Sequence, residues 1–281
     1  MKLPFTKMHG CGNDYIYFNC FAHEVKNPEA LAIRLSDHHF GVGGDGIILI
    51  CPSDVADARM RMFNADGSEG RMCGNGIRCV GKYLYDNNMV DGKTEITIET
   101  LSGIKTLILH PENGKAKTVR VDMGPAALEP AEIPVYLDGD RVVDAPLVID
   151  EKVYHITCVS MGNPHCVVFV KEDVDSLDLA RLGPKFEHNP LFPERVNTEF
   201  VNVLPDGTLK MRVWERGSGE TWACGTGACA VGVTAVLSGL AAKGDDILVH
   251  LRGGDLTIRY TDQTVFMTGP ATTVFEGTVE V

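Results

Sequence analysis

Two short segments carry the residue types that could do chemistry. Cys73-Gly-Asn-Gly recurs as Cys224-Gly-Thr-Gly, an offset of 224 − 73 = 151. Each cysteine stands at the predicted start of a helix, whose first backbone N–H groups have no intrahelical partner and carry the positive end of the helix dipole. A thiol held there should have a lowered pKa. The same N–H groups can hold a carboxylate. If two such helix starts face one cavity, a carboxylate can bind both, and the carbon bearing it lies between two sulfurs. One sulfur, as thiolate, could remove that carbon's proton while the other, as thiol, protonates the opposite face. The outcome is inversion of a stereocentre by acid–base catalysis, which requires no cofactor. Three other readings stay open from the residues alone. The cysteines could be buried packing residues, they could form a redox disulfide, or one of them could be a single nucleophile working with a histidine such as His165.

The elements that must position these thiols repeat as well. Holding the 151-residue offset from Glu69 to Thr106 gives nine identical columns of 38 without a gap, among them Gly76/Gly227 and Gly81/Gly232. A weaker echo pairs Gly12-Asn13 with Gly162-Asn163 at an offset of 150. After Cys73, the positions Ile77, Val80, Gly81 and Leu84 form one helical stripe, and Ala228, Val231, Gly232 and Ala235 do the same after Cys224. Small residues in the stripe let each helix lie close to its neighbours. Alternating segments at Ile96–Ile98 and Ile247–Leu251, with Ile47–Ile50, Val119–Val121, Cys166–Val170, Met211–Trp214 and Val265–Met267, read as strands. The expectation is an α+β protein of two pseudo-symmetric domains, each a strand-rich, barrel-like sheet wrapped around one central helix. The boundaries predicted are 1–122 with 268–281 returning, and 123–267.

Composition narrows the partners. A net charge of −12 makes nucleic acid a poor default. The longest apolar runs, Ile47–Cys51 and Cys166–Val170, are five residues each. Neither a membrane span nor a signal-peptide core fits in them, and the chain is expected in the cytoplasm. Nine cysteines at irregular spacing, with no C-x-x-C pair, argue for free thiols and against a structural metal. Gly41-Val-Gly-Gly-Asp-Gly46 imitates a nucleotide loop, but it precedes a strand where a dinucleotide fingerprint would follow one. His9, His38 and His39 lack metal-ligand spacing and are expected at the surface or in turns.

Taken in order, eight motifs resemble diaminopimelate epimerases over essentially the whole chain. They are Lys7-Met-His-Gly-Cys-Gly-Asn-Asp14, Gly41-Val-Gly-Gly-Asp45, Phe63-Asn-Ala-Asp-Gly-Ser-Glu69, Cys73-Gly-Asn-Gly76, Ser160-Met-Gly-Asn-Pro-His-Cys166, Arg195-Val-Asn197, Glu215-Arg-Gly-Ser-Gly-Glu220 and Cys224-Gly-Thr-Gly227. The resemblance implies cofactor-independent interconversion of LL- and meso-diaminopimelate, in lysine and cell-wall precursor synthesis, by a cytoplasmic enzyme that could be a homodimer. It implies that Cys73 and Cys224 are the acid/base thiols, supported by His165 and Glu215. Gly74, Asn75, Gly225 and Thr226 would supply helix-start N–H groups. Asn13, Asn64, Asn163, Asn197, Glu215 and Arg216 would bind substrate, a set whose Arg216 can grip a carboxylate and whose Glu215 can meet an ammonium. Asn64 and Glu215 each lie nine residues before their cysteine (73 − 64 = 224 − 215), as equivalent strand ends would. Where some members carry a substrate-contacting Gln, this chain has Gly46, and Asp45 is left unassigned. A proline-racemase-like enzyme, or a thiol redox sensor without stereochemical turnover, remains the alternative.

Overall fold

Alternating apolar residues turn much of the chain into strands, and the strand pairs that run parallel dictate where helices must lie. A computed structural model describes residues 2–280. The chain divides into two compact units, one made of the residues up to Asp122 with those from Thr268 onward, the other Met123–Met267.

The first unit begins with β1 (Lys2–Gly10) and β2 (Asn13–Asn19), an antiparallel hairpin. Helix α1 (Pro28–Ser36) then leads to β3 (Gly46–Cys51), parallel to β2. β4 (Ala58–Asn64) and the short β5 (Glu69–Gly70) follow antiparallel, and α2 (Gly74–Asp86) crosses to β6 (Glu95–Thr100), parallel to β4. β7 (Gly103–Glu112) and β8 (Lys115–Asp122) complete the series.

The second unit repeats this plan. β9 (Ala145–Ile149) pairs with β10 (Lys152–Ser160), which forms a hairpin with β11 (Pro164–Phe169). α3 (Leu179–Glu187) leads to β12 (Asn197–Val203), parallel to β11, and then to β13 (Leu209–Glu215) and β14 (Gly219–Thr221). α4 (Gly225–Leu237) crosses to β15 (Ile247–Leu251), parallel to β13, before β16 (Gly254–Tyr260) and β17 (Val265–Pro270). The last strand, β18 (Thr272–Glu280), pairs with β1 in the first unit. The protein is a strand-rich, mixed-sheet α+β fold.

The helices show what the repeat is for. α2 and α4 are both 13 residues long and start 225 − 74 = 151 apart. Ile77, Cys79, Val80 and Leu84 of α2 are completely buried. Each apolar side chain of Val or Leu size so removed from water stabilises by about 1.5–3 kcal/mol. A Cβ on Gly81 would come within 2.8 Å of Leu107 Cδ2, and one on Gly232 within 2.5 Å of Ile258 Cγ2, so both repeated glycines let helix and strand touch. The expected single stripe on α4 is too narrow, since every residue from Gly227 to Ala235 is buried. A helix apolar all round has strands or loops on every side.

Each half also holds a second helix, whereas the sequence suggested only the central one. Parallel neighbours cannot be joined by a tight turn, and α1 and α3 are the crossovers that β2–β3 and β11–β12 require. Local signals support them: Asn27 Oδ1 accepts from Ala30 N at 3.4 Å ahead of Pro28, and Asp178 Oδ1 accepts from Arg181 N at 3.2 Å. His9 lies within β1, not in a turn, while His38 and His39 occupy an exposed turn. Among the described residues no helix is long and apolar enough to cross a membrane.

Candidate active site

Cys73 is itself the N-cap of α2, with extended backbone (φ −128°, ψ 117°) and a sulfur that accepts from Gly76 N at 3.3 Å. Gly74 and Asn75 form the buried first turn behind it. The second glycine of the motif serves packing, because a Cβ on Gly76 would come within 2.6 Å of Ile48 Cδ1. Arg78, fully buried, donates to Gly74 O at 3.1 Å and to Pro270 O at 3.2 Å, fastening that turn.

Asn13 reaches Cys73 from the start of β2. The tight β1–β2 turn needs left-handed backbone at Cys11 and Gly12 (φ 54° and 83°), which turns Asn13 toward the thiol. Cys73 Sγ donates to Asn13 Oδ1 at 3.2 Å, and Asn13 Nδ2 donates to Asp45 Oδ2 at 2.6 Å. Asp45 also accepts from Asp14 N at 3.1 Å, and desolvation, with Asp14 nearby, pushes its carboxyl up. The buried Lys7 donates to Gly43 O and ion-pairs with Asp14, tying down the glycine loop. Asp45 thus gains a place in the site that its motif alone did not assign. Burial and the neighbouring Cys73 push the Tyr15 phenol far up.

Asn64 ends β4 facing Gly46 across the β3–β4 ladder, and its Nδ2 donates to Ser68 Oγ at 3.0 Å. Gly46 has no room for a side chain. Its φ is +156°, and a Cβ there would overlap the Phe63 carbonyl and crowd Tyr15 Cε1. Gly46→Gln is therefore expected to cost about 1–3 kcal/mol of stability and to bring no gain in substrate affinity. Denaturant unfolding beside KM measurements checks this, and a stable variant with tighter binding would contradict it.

The other half is built on the same plan. Cys224 caps α4 (φ −110°, ψ 109°) and its sulfur accepts from Gly227 N at 3.3 Å. Gly225 begins the helix and Thr226 Oγ1 lies 3.5 Å from Cys224 Sγ. Asn163 Nδ2 donates to Thr226 Oγ1 at 3.3 Å, and Asn163 Oδ1 lies 3.1 Å from His165 Nε2. His165 Nδ1 lies 2.7 Å from Glu199 Oε1, both side chains being completely buried. Glu199 was invisible as a site residue; its one signal was an acid inside the apolar-flanked Thr-Glu-Phe-Val strand. A Cβ on Gly227 would stand 2.5 Å from Glu199 Oε1, so that glycine makes room for the carboxyl.

Glu215 ends β13, where Thr221 Oγ1 donates to it, and its charge acts on the Cys224 thiol. Asn197, by contrast, has its amide occupied: Nδ2 donates to Pro164 O at 2.8 Å and Oδ1 accepts from Arg216 N at 2.9 Å. It orients Arg216, whose guanidinium also donates to Glu194 O at 2.9 Å.

The electrostatics correct one expectation. The Cys224 thiol is pushed well above the usual thiol range, not below it, by burial first and then by the charges of Glu215 and Glu199. Hydrogen bonds from Thr226 and Gly227 pull the other way and are outweighed. A helix start cannot offset desolvation together with two carboxylates. Desolvation also raises the Glu215 carboxyl.

The model of the family described as diaminopimelate epimerase matches residues 5–129 and 157–274. This chain belongs to the diaminopimelate epimerase family. A diaminopimelate epimerase of Acetivibrio thermocellus is 57% identical over 281 residues, covering 99% of both chains. One of Agathobacter rectalis is 55% identical over 289 residues, covering 99% of this chain and 100% of its own. Among solved structures, a probable proline racemase from Agrobacterium radiobacter superposes with a TM-score of 0.74 at 18% identity, covering 99% of this chain and 93% of its own. A hydroxyproline epimerase from Agrobacterium vitis gives 0.73 at 17%, covering 99% and 92%. At that identity the two structures share the epimerase's fold and carry nothing about its substrate.

Proposed function

We propose that this chain interconverts LL- and meso-diaminopimelate, with Cys73 and Cys224 exchanging protons with opposite faces of one α-carbon and no cofactor taking part. The observation that supports this best is the matched pair of N-cap thiols, each accepting from the N–H three residues on at 3.3 Å. The first-turn N–H groups of both helix starts would bind the reacting carboxylate and stabilise the charge that develops as the proton leaves. Arg216 would hold the distal carboxylate, and Glu215 an ammonium. A Cys224 that rests as thiol is ready to donate when Cys73 is the base. In the reverse direction its proton would pass to Glu215, whose charge acts on it and whose own carboxyl is raised by burial. Closure of the two halves around the ligand would exclude water and strengthen these interactions. The setting would be the cytoplasm, in lysine and cell-wall precursor synthesis, with a homodimer checked by light scattering.

The test is purified protein incubated with LL-diaminopimelate in deuterium oxide without added cofactor. The expected result is meso-diaminopimelate carrying deuterium at the inverted carbon. Turnover of proline or hydroxyproline in place of diaminopimelate would assign the chain to the racemase alternative. Thiol titration without any turnover would assign it to a redox role.

A further inference from the structure

The epimerase chemistry leaves seven cysteines unused, and four of them are adjacent in pairs. Cys158 stands opposite Cys166 in the β10–β11 ladder, and both are completely buried. The other pair is Cys20 and Cys51. The parallel β2–β3 ladder ends at Asn19 beside Ile50, and Cys20 N donates to Ile50 O at 2.8 Å, so the register continues one residue and sets Cys20 beside Cys51. Both are only half-buried, at the rim of the apolar cluster that holds Phe18 and Leu49. They lie at the far ends of the strands that begin with Asn13 and Gly46.

The surroundings make the two thiols unequal. Arg59 faces Cys51 across the β3–β4 ladder and Arg61 faces Leu49, one step along the same side. Glu69 pairs with Arg61, and Glu99 lies 3.8 Å from Arg59. The adjacent Cys20 thiol, with the two guanidiniums, holds Cys51 below the ordinary thiol range, while Cys20 is pushed up.

We propose that Cys20 and Cys51 form a peroxide-oxidisable dithiol, a reversible modification site separate from the epimerase thiols. The Cys51 thiolate attacks one oxygen of hydrogen peroxide, the O–O bond breaks, and the hydroxide released takes up a proton to leave as water. Cys51 is then a sulfenic acid. The Cys20 sulfur attacks the Cys51 sulfur, the S–O bond breaks, and a second water leaves. Two thiols lose two electrons and one peroxide becomes two waters. A dithiol reductant reverses the disulfide by exchange.

The experiment treats the full-length protein with stoichiometric hydrogen peroxide, blocks residual thiols in denaturant, and maps tryptic peptides by mass spectrometry. The expected product is a Cys20–Cys51 linked peptide, lost on reduction, with Cys158 and Cys166 still alkylated because no oxidant reaches them. In Cys20→Ser, Cys51 should accumulate as a sulfenic acid that dimedone traps. In Cys51→Ser, Cys20 should give no adduct and the epimerisation rate should stay unchanged. Full alkylation of Cys20 and Cys51 in treated wild type would overturn the proposal, as would oxidation of Cys51 to sulfinic acid without the link.

Discussion

Replacing either Cys73 or Cys224 with serine should lower epimerisation by roughly 10²–10⁴-fold, the range expected when a positioned acid–base group is lost. A serine hydroxyl does not ionise near neutral pH, so it can neither take nor readily supply the α-proton. The loss should be chemical and not structural. Serine is a preferred N-cap, and its oxygen can accept from Gly76 N or Gly227 N as the sulfur does. Thermal stability of both variants should therefore match or exceed wild type. Each variant should still exchange the α-proton of one isomer with deuterium oxide, without inversion, on the side where a thiol remains. Cys79→Ser and Cys229→Ser provide the contrast. Both side chains are fully buried, so a hydroxyl there costs about 1–3 kcal/mol of stability while the rate per folded molecule holds. A Cys224→Ser enzyme with full activity would reject the two-thiol scheme.

Removing Glu199 should have the largest effect on stability. The Glu199 carboxyl and the His165 ring are wholly buried and 2.7 Å apart. Glu199→Ala leaves the buried ring nitrogen without its partner and opens a void against Gly227, a combined loss of roughly 3–5 kcal/mol. Glu199→Gln keeps the volume and a hydrogen bond, so it should fold near wild-type stability and expose the electrostatic role alone. The sign follows from the surroundings of Cys224. Glu199 is one of the two carboxylates that push that thiol up, so neutralising it should lower the pKa and raise the thiolate fraction at pH 7. Cys224 should then react faster with iodoacetamide in Glu199→Gln than in wild type, and the gap should close as pH rises and both ionise. Equal rates at pH 7, followed by mass spectrometry of the Cys224 peptide, would remove Glu199 from the account.

These two experiments probe features of different origin. The thiol positions were legible because a duplication leaves an arithmetic trace: the same Cys-Gly-x-Gly motif, the same helical stripe after it and the same nine-residue spacing to a strand end. An N-cap depends on a few consecutive residues, so sequence carries it directly. Strands with period-2 burial, such as Ile96–Ile98 and Ile247–Leu251, were legible for the same local reason. The motif order also carried the family. Helices α1 and α3 escaped because their necessity comes from parallel pairing between strands that are distant in the chain.

What the sequence by itself determined, then, was the duplicated frame, the cysteines at the two helix starts and the class of enzyme. Only the tertiary structure decided how each group behaves there. It buried Cys224 beside Glu215 and Glu199 and so reversed the expected direction of its pKa. It seated Glu199 under His165, engaged Asp45 with Asn13, occupied both ends of the Asn197 amide and closed Gly46 to any side chain. The reason is physical. Helix starts and strand alternation are short-range properties of the chain, whereas desolvation and Coulomb interaction sum over residues that meet only when the chain folds.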